Sequence, residues 1–296
     1  MHGRPHRYVI GIGSQRAGST LLHRVLATCT PVWMHPMKEL HYFDVVAGAT
    51  AFRMMQRLST HLVEQAPGPR RPRWWPRGQQ EPQRTAALYL ECSDRFQLAD
   101  LGYERLWGPE AADFPVVGEI TPEYQLLPPP AIAAMRDAVG EDARILLIRR
   151  DPVDRFLSSC VLRESFLNPD FDPGSLDEEA LLEELAIGSP FVRQQQNFSD
   201  YDDALRRYRE VFPRVMAVDL PDLAQASPSL GRRLGEFLDV PFDTSAFADA
   251  VAGRVNQLPG FQVSPETRAA VARGLQEYIE IKRALLAQAQ GDHPPA

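Results

Sequence analysis

Residues Tyr8–Leu26 read YVIGIGSQRAGSTLLHRVL. The apolar run Tyr8 to Ile12 enters a turn built on glycines, and from Ser19 onward Leu21, Leu22, Val25, Leu26 and Cys29 recur at helical spacing. A short apolar run bounded by turn residues predicts a buried parallel strand, so the stretch predicts strand, glycine loop and helix, the first half of a βαβ unit. Such a loop holds anions, because backbone N–H groups and the positive end of the helix point at whatever sits in it. Three templates compete for the ligand. The dinucleotide pattern G-x-G-x-x-G fits Gly11 and Gly13 but meets Arg16 where the third glycine belongs. The nucleoside-triphosphate pattern G-x-x-x-x-G-K-[ST] fits Gly13 and Gly18 but has Ser19 in place of the lysine. The third template keeps the cradle and changes the anion. The backbone from Ser14 through Gln15, Arg16, Ala17, Gly18 and Ser19 to Thr20 offers donors, Ser19 and Thr20 add hydroxyls, and Arg16 adds the positive charge.

Working outward, Ala143–Ile148 predicts a second buried strand, after which Asp151 caps a helix with Pro152 at its first position. Further strands are expected at Ala87–Leu90, Phe114–Ile120 and Arg214–Val218, and a late helix begins at Ser264 and Pro265. Alternating strands and helices predict a P-loop-like three-layer α/β fold with a central, mostly parallel sheet flanked by helices. One domain over 1–296 is expected, interrupted at 66–85 by a flexible insertion rich in Pro, Gly and Arg; GDHPPA at the end reads as a frayed tail.

Composition narrows the function. Of the 296 residues 44% are hydrophobic, enough for a sizeable core, and the net charge of −7 argues against a nucleic-acid partner. Three cysteines form no disulfide or metal-ligand pattern, so a reducing cytoplasm is expected. The N-terminal stretch does not read as a signal peptide, and no run of about 18 apolar residues predicts a membrane span.

Three further stretches are MKELHYFD (Met37–Asp44), GEITPEY (Gly118–Tyr124) and LLIRRDPVDRFLSS (Leu146–Ser159). With GSQRAGSTLL they resemble the sulfotransferases that use 3′-phosphoadenosine-5′-phosphosulfate (PAPS), in particular the heparan-sulfate-type and related bacterial enzymes with K-E-x-H-[FY]-F-D and R-[DN]-P-x-x-R-x-x-S strings. Tyr201–Leu223 resembles the helix and strand that follow in that family. The resemblance implies PAPS as co-substrate, PAP as product and no metal. It implies that the loop Gly13–Thr20 wraps the 5′-phosphosulfate with Arg16 at the bridging oxygen, and that Arg150 and Ser158 hold the 3′-phosphate. By residue type alone, Arg150 reads equally as an ion-pair residue and Ser158 as an exposed helical serine; Arg149 and Arg155 read as structural or solvated.

The same resemblance implies Glu39 as catalytic base and places Lys38 near the sulfate. His41, two residues on, shares a face with Glu39 if the segment is extended; it orients the acceptor, tunes Glu39, or is a hydrogen-bonded structural histidine. Asp44 contacts the acceptor or caps a helix. Ile120 departs from the family string E-K-[ST]-P-x-Y, where a lysine helps hold an acidic polymer. With the acidic net charge, this points to a hydroxyl on a small molecule, lipid, simple glycan or carrier-bound intermediate. Two rival functions stand beside this one. A P-loop kinase-like phosphoryl transferase requires the absent lysine and a magnesium-binding Asp. A non-catalytic PAP- or anion-binding module needs neither Glu39 nor His41. Oligomeric state is not legible in the sequence.

Overall fold

The apolar run behind the glycine loop is strand β1 (Arg7–Gly11), and it lies at the centre of a sheet. The computed structural model of the protein describes residues 6–64, 83–252 and 262–291, with side chains to 288. Four more strands follow: β2 (Trp33–Met34), β3 (Val116–Ile120), β4 (Arg144–Arg149) and β5 (Val215–Asp219). Their order is β2-β3-β1-β4-β5, and every pairing is parallel. The chain leaves β1 for the β3 side and later returns to the β4 side. The loop after β1 therefore sits at the topological switch point, outside the carboxyl ends of the strands, where open α/β sheets bind ligands.

Helices in chain order are α1 (Ser19–Cys29), α2 (Tyr42–Val46), α3 (Phe52–Glu64), α4 (Gln83–Glu91), α5 (Arg95–Leu101), α6 (Pro129–Val139), α7 (Pro152–Leu167), α8 (Glu178–Ile187), α9 (Pro190–Ser199), α10 (Tyr201–Arg209), α11 (Leu220–Ala224), α12 (Pro228–Leu238), α13 (Thr244–Val251) and α14 (Pro265–Gly291). The chain forms two compact units: Met1–Arg149 with Asp203–Val255, and Arg150–Asp202 with Asn256–Ala296.

The first unit holds the sheet. Val9, Ile120, Leu146, Ile148 and Val218 pack on one face against Leu22, Val25 and Leu26 of α1, Leu230 and Leu234 of α12 and Phe247 of α13. The alternate residues meet aromatics instead. Tyr8 lies 5.7 Å from Tyr103 and 5.5 Å from Trp107 between ring centroids, and Tyr103 also packs on Phe43 at 4.6 Å. The alternation of a strand thus gives the sheet an aliphatic face and an aromatic face. In the second unit α7, α8, α9 and α14 enclose Phe156, Leu157, Cys160, Leu181, Val192, Val271 and Leu275. Asp151 caps α7 by accepting from Asp154 N at 2.9 Å, and the Ser264 hydroxyl caps α14 by accepting from Thr267 N at 3.1 Å.

Ala87–Leu90, expected as a strand, belongs instead to α4. A four-residue apolar run does not separate the two conformations; here Thr85, Ala86 and Tyr89 are the buried positions, which is helical spacing. The two residues of β2 are too few to show a period. Residues 66–82 of the expected insertion and the tail from residue 292 lie outside the described residues, while Gln83–Thr85 open α4. Among the described residues no helix is long and apolar enough to cross a membrane.

Candidate active site

The glycine loop is fastened to β4 before it turns. Ser14 N donates to Ile148 O at 2.9 Å, and Ile148 N donates to Gly13 O at 2.7 Å. Ser14 is fully buried, and Ala17 N closes the turn on Ser14 O at 3.2 Å. Two of the backbone donors expected for an anion, those of Ser14 and Ala17, are thus used inside the fold. Arg16 sits in the left-handed region at φ 63°, which swings the chain into α1. Gly18 takes the N-cap position of α1 at φ 98°, and no side chain caps that helix among the described residues. The leading N–H groups of α1 consequently keep the electropositive character that attracts an anion.

A Cβ at residue 18 would stand 2.7 Å from Leu220 Cδ1, and the positive φ is one that side chains resist. Gly18→Ala should therefore lower the unfolding free energy by about 1–3 kcal/mol. A denaturant titration showing no loss of stability would mean that the loop refolds around the substitution.

Lys38 to His41 run without regular structure into α2. His41 is at φ 54°, not extended, so it does not reach Glu39 by strand alternation. The two still meet, with His41 Nε2 3.7 Å from Glu39 Oε2. Glu123, which the sequence reading did not single out, brings Oε2 to the same 3.7 Å from the same nitrogen. The opposite ring nitrogen, Nδ1, lies 2.8 Å from Asp44 Oδ2. Asp44 is fully buried in the first turn of α2, against the His41 ring. Lys38 Nζ contacts Glu39 Oε1. Gln15 of the glycine loop donates to Glu123 Oε1 at 3.4 Å, joining the loop to the cluster.

The charges sort accordingly. Burial opposes the His41 imidazolium, but hydrogen bonds to Asp44 and Glu39 and the Glu123 charge outweigh it and raise its pKa to about 11. Burial also opposes the Glu39 carboxylate, yet Lys38 and His41 bring its pKa down to about 2. For Glu123 burial wins: despite His41, and with Glu39 and Asp44 adding repulsion, its pKa rises to about 7. His41 is thus a fixed cation between two carboxylates of very different proton affinity. Ligand atoms of Glu39, His41 and Glu123 lie within 4.8 Å of one another, a spacing that a metal ion could use, although Lys38 already neutralises Glu39.

Beneath this cluster lies a second residue that sequence reasoning passed over. Glu119, fully buried on the aromatic face of β3, accepts from Thr121 Oγ1 at 2.6 Å, Tyr124 Oη at 2.9 Å, Tyr103 Oη at 3.1 Å and Leu40 N at 3.3 Å. Two of those donors hold the next residues of the cluster segment. Thr121 Oγ1 accepts from His41 N at 3.3 Å, and Tyr124 Oη accepts from Tyr42 N at 3.0 Å. Glu119 thereby fixes the backbone that carries Glu39 and His41. Ile120, in the family's lysine position, is fully buried in the aliphatic core. A charged side chain there would have to leave that packing.

Arg150 and Ser158 belong to the second unit. Arg150 directly precedes Asp151, the cap of α7, and its peptide is held from both sides by Tyr201. Arg150 N donates to Tyr201 Oη at 3.4 Å, and Tyr201 Oη donates to Arg150 O at 2.9 Å. Ser158 is 3% exposed, so it is not the surface serine that its residue type alone allows. Arg149, at the end of β4, makes a two-pronged pair with Asp219, both contacts at 2.9 Å.

A five-stranded parallel sheet with a glycine loop at its switch point defines a P-loop-like α/β protein. The model of the sulfotransferase family matches residues 9–244, and the chain belongs to that family. Among solved structures, a sulfotransferase from Alicyclobacillus acidocaldarius aligns at 21% identity and TM-score 0.54, covering 95% of this chain and 96% of that one. The sulfotransferase domain of the Synechococcus PCC 7002 olefin synthase aligns at 16% identity and TM-score 0.50, covering 86% and 80%. At these identities the two likenesses establish the fold. No curated protein sequence matches the chain significantly.

Proposed function

We propose that the protein transfers the sulfuryl group of PAPS to a hydroxyl of a small-molecule, lipid, glycan or carrier-bound acceptor, with Glu39 as base. The observation that carries this reading is the junction in the first unit. The glycine loop reaches the Glu39–His41–Asp44 cluster through Gln15 and Glu123. An anion-binding module without chemistry has no use for that cluster.

In the proposed reaction Glu39 takes the acceptor's hydroxyl proton as the oxygen bonds to sulfur. The S–O bond to the phosphate breaks, and PAP leaves with the negative charge. Arg16 meets that charge at the bridging oxygen; it acts electrostatically, since a guanidinium keeps its proton at neutral pH. The imidazolium of His41 holds its proton to about pH 11, which favours Glu39 over His41 as the acceptor of a proton. Lys38 has two roles in sequence. It shields Glu39 in the free protein, and attraction to the sulfate would draw it off, raising the basicity of Glu39 when the donor is in place. Arg150 and Ser158 supply the 3′-phosphate contacts that the family resemblance assigns to them. The buried Ile120 supports an acceptor that is not an acidic polymer.

PAP should stabilise the protein in the presence of a chelator, by about 2.7 kcal/mol at a hundredfold excess over Kd. ATP with magnesium should shift the melting temperature much less. Strong stabilisation by ATP–magnesium and none by PAP would replace this reading with phosphoryl transfer. Arg150→Ala should weaken PAP by on the order of 2 kcal/mol, the loss expected for a charge-assisted phosphate contact.

A further inference from the structure

Arg155, one turn before Ser158 on α7, is fully buried, and among the described residues none of its partners is a carboxylate. Nη1 donates to Gln195 Oε1 at 2.8 Å and to Ser159 Oγ at 3.4 Å; Nη2 donates to Gln195 O at 2.5 Å and Ser199 Oγ at 2.9 Å. The guanidinium also lies 5.8 Å from the centre of the Phe198 ring. Every one of these partners is neutral. Burial lowers the pKa of the group to about 10, which still leaves it charged at neutral pH. A buried charge without a counter-charge is costly, and joining two helices does not require one.

The contacts show where the guanidinium acts. It grips the last turn of α9 at Gln195 and Ser199, and two residues beyond Ser199 the chain delivers Tyr201, whose hydroxyl clasps both the N–H and the carbonyl of Arg150. Arg155 is therefore mechanically linked to Arg150, the residue that precedes the cap of α7. We infer that Arg155 and Tyr201 are positioning residues for a phosphate-monoester subsite on the second unit. They fix the backbone of Arg150, and Arg155 adds a buried positive charge for which the ligand's 3′-phosphate is the missing counter-charge. This rests on the proposed use of PAPS and adds two residues to it. It also gives a reason for a charged residue where Gln or Met would pack: only an anionic ligand gains from the charge.

The test uses the full chain and two nucleotides that differ by one group, PAP and 5′-AMP, with affinities measured by calorimetry. The parent protein should prefer PAP. Tyr201→Phe, which removes a single oxygen from a side chain that otherwise packs as before, should weaken PAP by about tenfold and leave 5′-AMP unchanged. Arg155→Gln should erase most of the preference, about a hundredfold, and Arg155→Lys should restore part of it by returning the charge without the fork. If Arg155→Gln does not fold, Tyr201→Phe and Arg155→Lys carry the test. Variants that weaken both nucleotides by the same factor, or that keep the parent's preference, overturn the inference and leave the PAPS reading standing. A parent protein that does not distinguish PAP from 5′-AMP overturns both.

Discussion

Glu39→Gln lowers the single-turnover rate of sulfuryl transfer by about 10²–10⁴-fold, the usual worth of a positioned base, while PAP affinity stays nearly unchanged. The geometry sets that expectation. Three carboxylates surround His41, and they differ in access: the Asp44 side chain is fully buried, that of Glu123 is 19% exposed and that of Glu39 is 36% exposed. The most accessible of the three is the one that can meet an acceptor. Gln keeps the shape and a hydrogen-bonding oxygen, so the loop and the phosphate contacts should not change; only the ability to accept a proton is lost. Rate falling with affinity intact is the signature of an interaction made in the transition state. A purely structural Glu39, held by Lys38 and His41, would instead lower the melting temperature and lose donor affinity together with activity. A stable, donor-binding variant that turns over at the parent rate would sink the assignment. The role would then pass to Glu123, whose proton affinity already lies near neutrality, and Glu123→Gln would be the next measurement.

The strand-loop-helix from Tyr8 to Leu26 was legible because its code is local: apolar run, glycines and helical periodicity all lie within nineteen residues. The cap at Asp151 and the strands β3, β4 and β5 were legible for the same reason. Glu123 and Glu119 were not. Their importance depends on β2 pairing beside β3, which places residues about eighty positions apart in contact, and no spacing rule carries that information. A signal was present: Glu119 stands among Val116, Val117 and Ile120 in a strand buried at every position, and a charged residue in such a strand must be held by several partners. Arg155 carried the same kind of signal. It lies on the helical face shared with Ser158 and Ser159, both buried, although by residue type it reads as structural or solvated. In each case the residue that tertiary contacts recruited is a polar group on an otherwise buried face.

Glu119→Ala should cost about 3–5 kcal/mol of stability, because four donors lose their common acceptor inside the aromatic layer and a cavity replaces it. The loss should also depend on pH with a definite sign. Burial raises the pKa of Glu119 from its ordinary 4.5 to about 7, against the hydrogen bonds from Thr121, Tyr124, Leu40 N and Tyr103. A carboxyl whose pKa is higher in the folded state binds its proton more tightly there than in the unfolded chain. Its contribution is therefore fully present below pH 4.5 and is lost as pH rises through 7, a change on the order of 3 kcal/mol. Glu123 titrates in the same direction and window, whereas His23 and His35, kept neutral by burial with pKa values of about 4, lose stability as pH falls from 6.5. All three remain in the variant, so subtracting the two pH profiles isolates Glu119. Denaturant unfolding at pH 5 and pH 8 should show the larger gap between parent and variant at pH 5. Because Leu40 N, His41 N and Tyr42 N hang from this network, the variant's transfer rate should fall as well, with Glu39 still in the chain but no longer held in place. Equal gaps at the two pH values would show that Glu119 enters and leaves the fold in the same charge state, and the buried-acid account of the network would then be wrong.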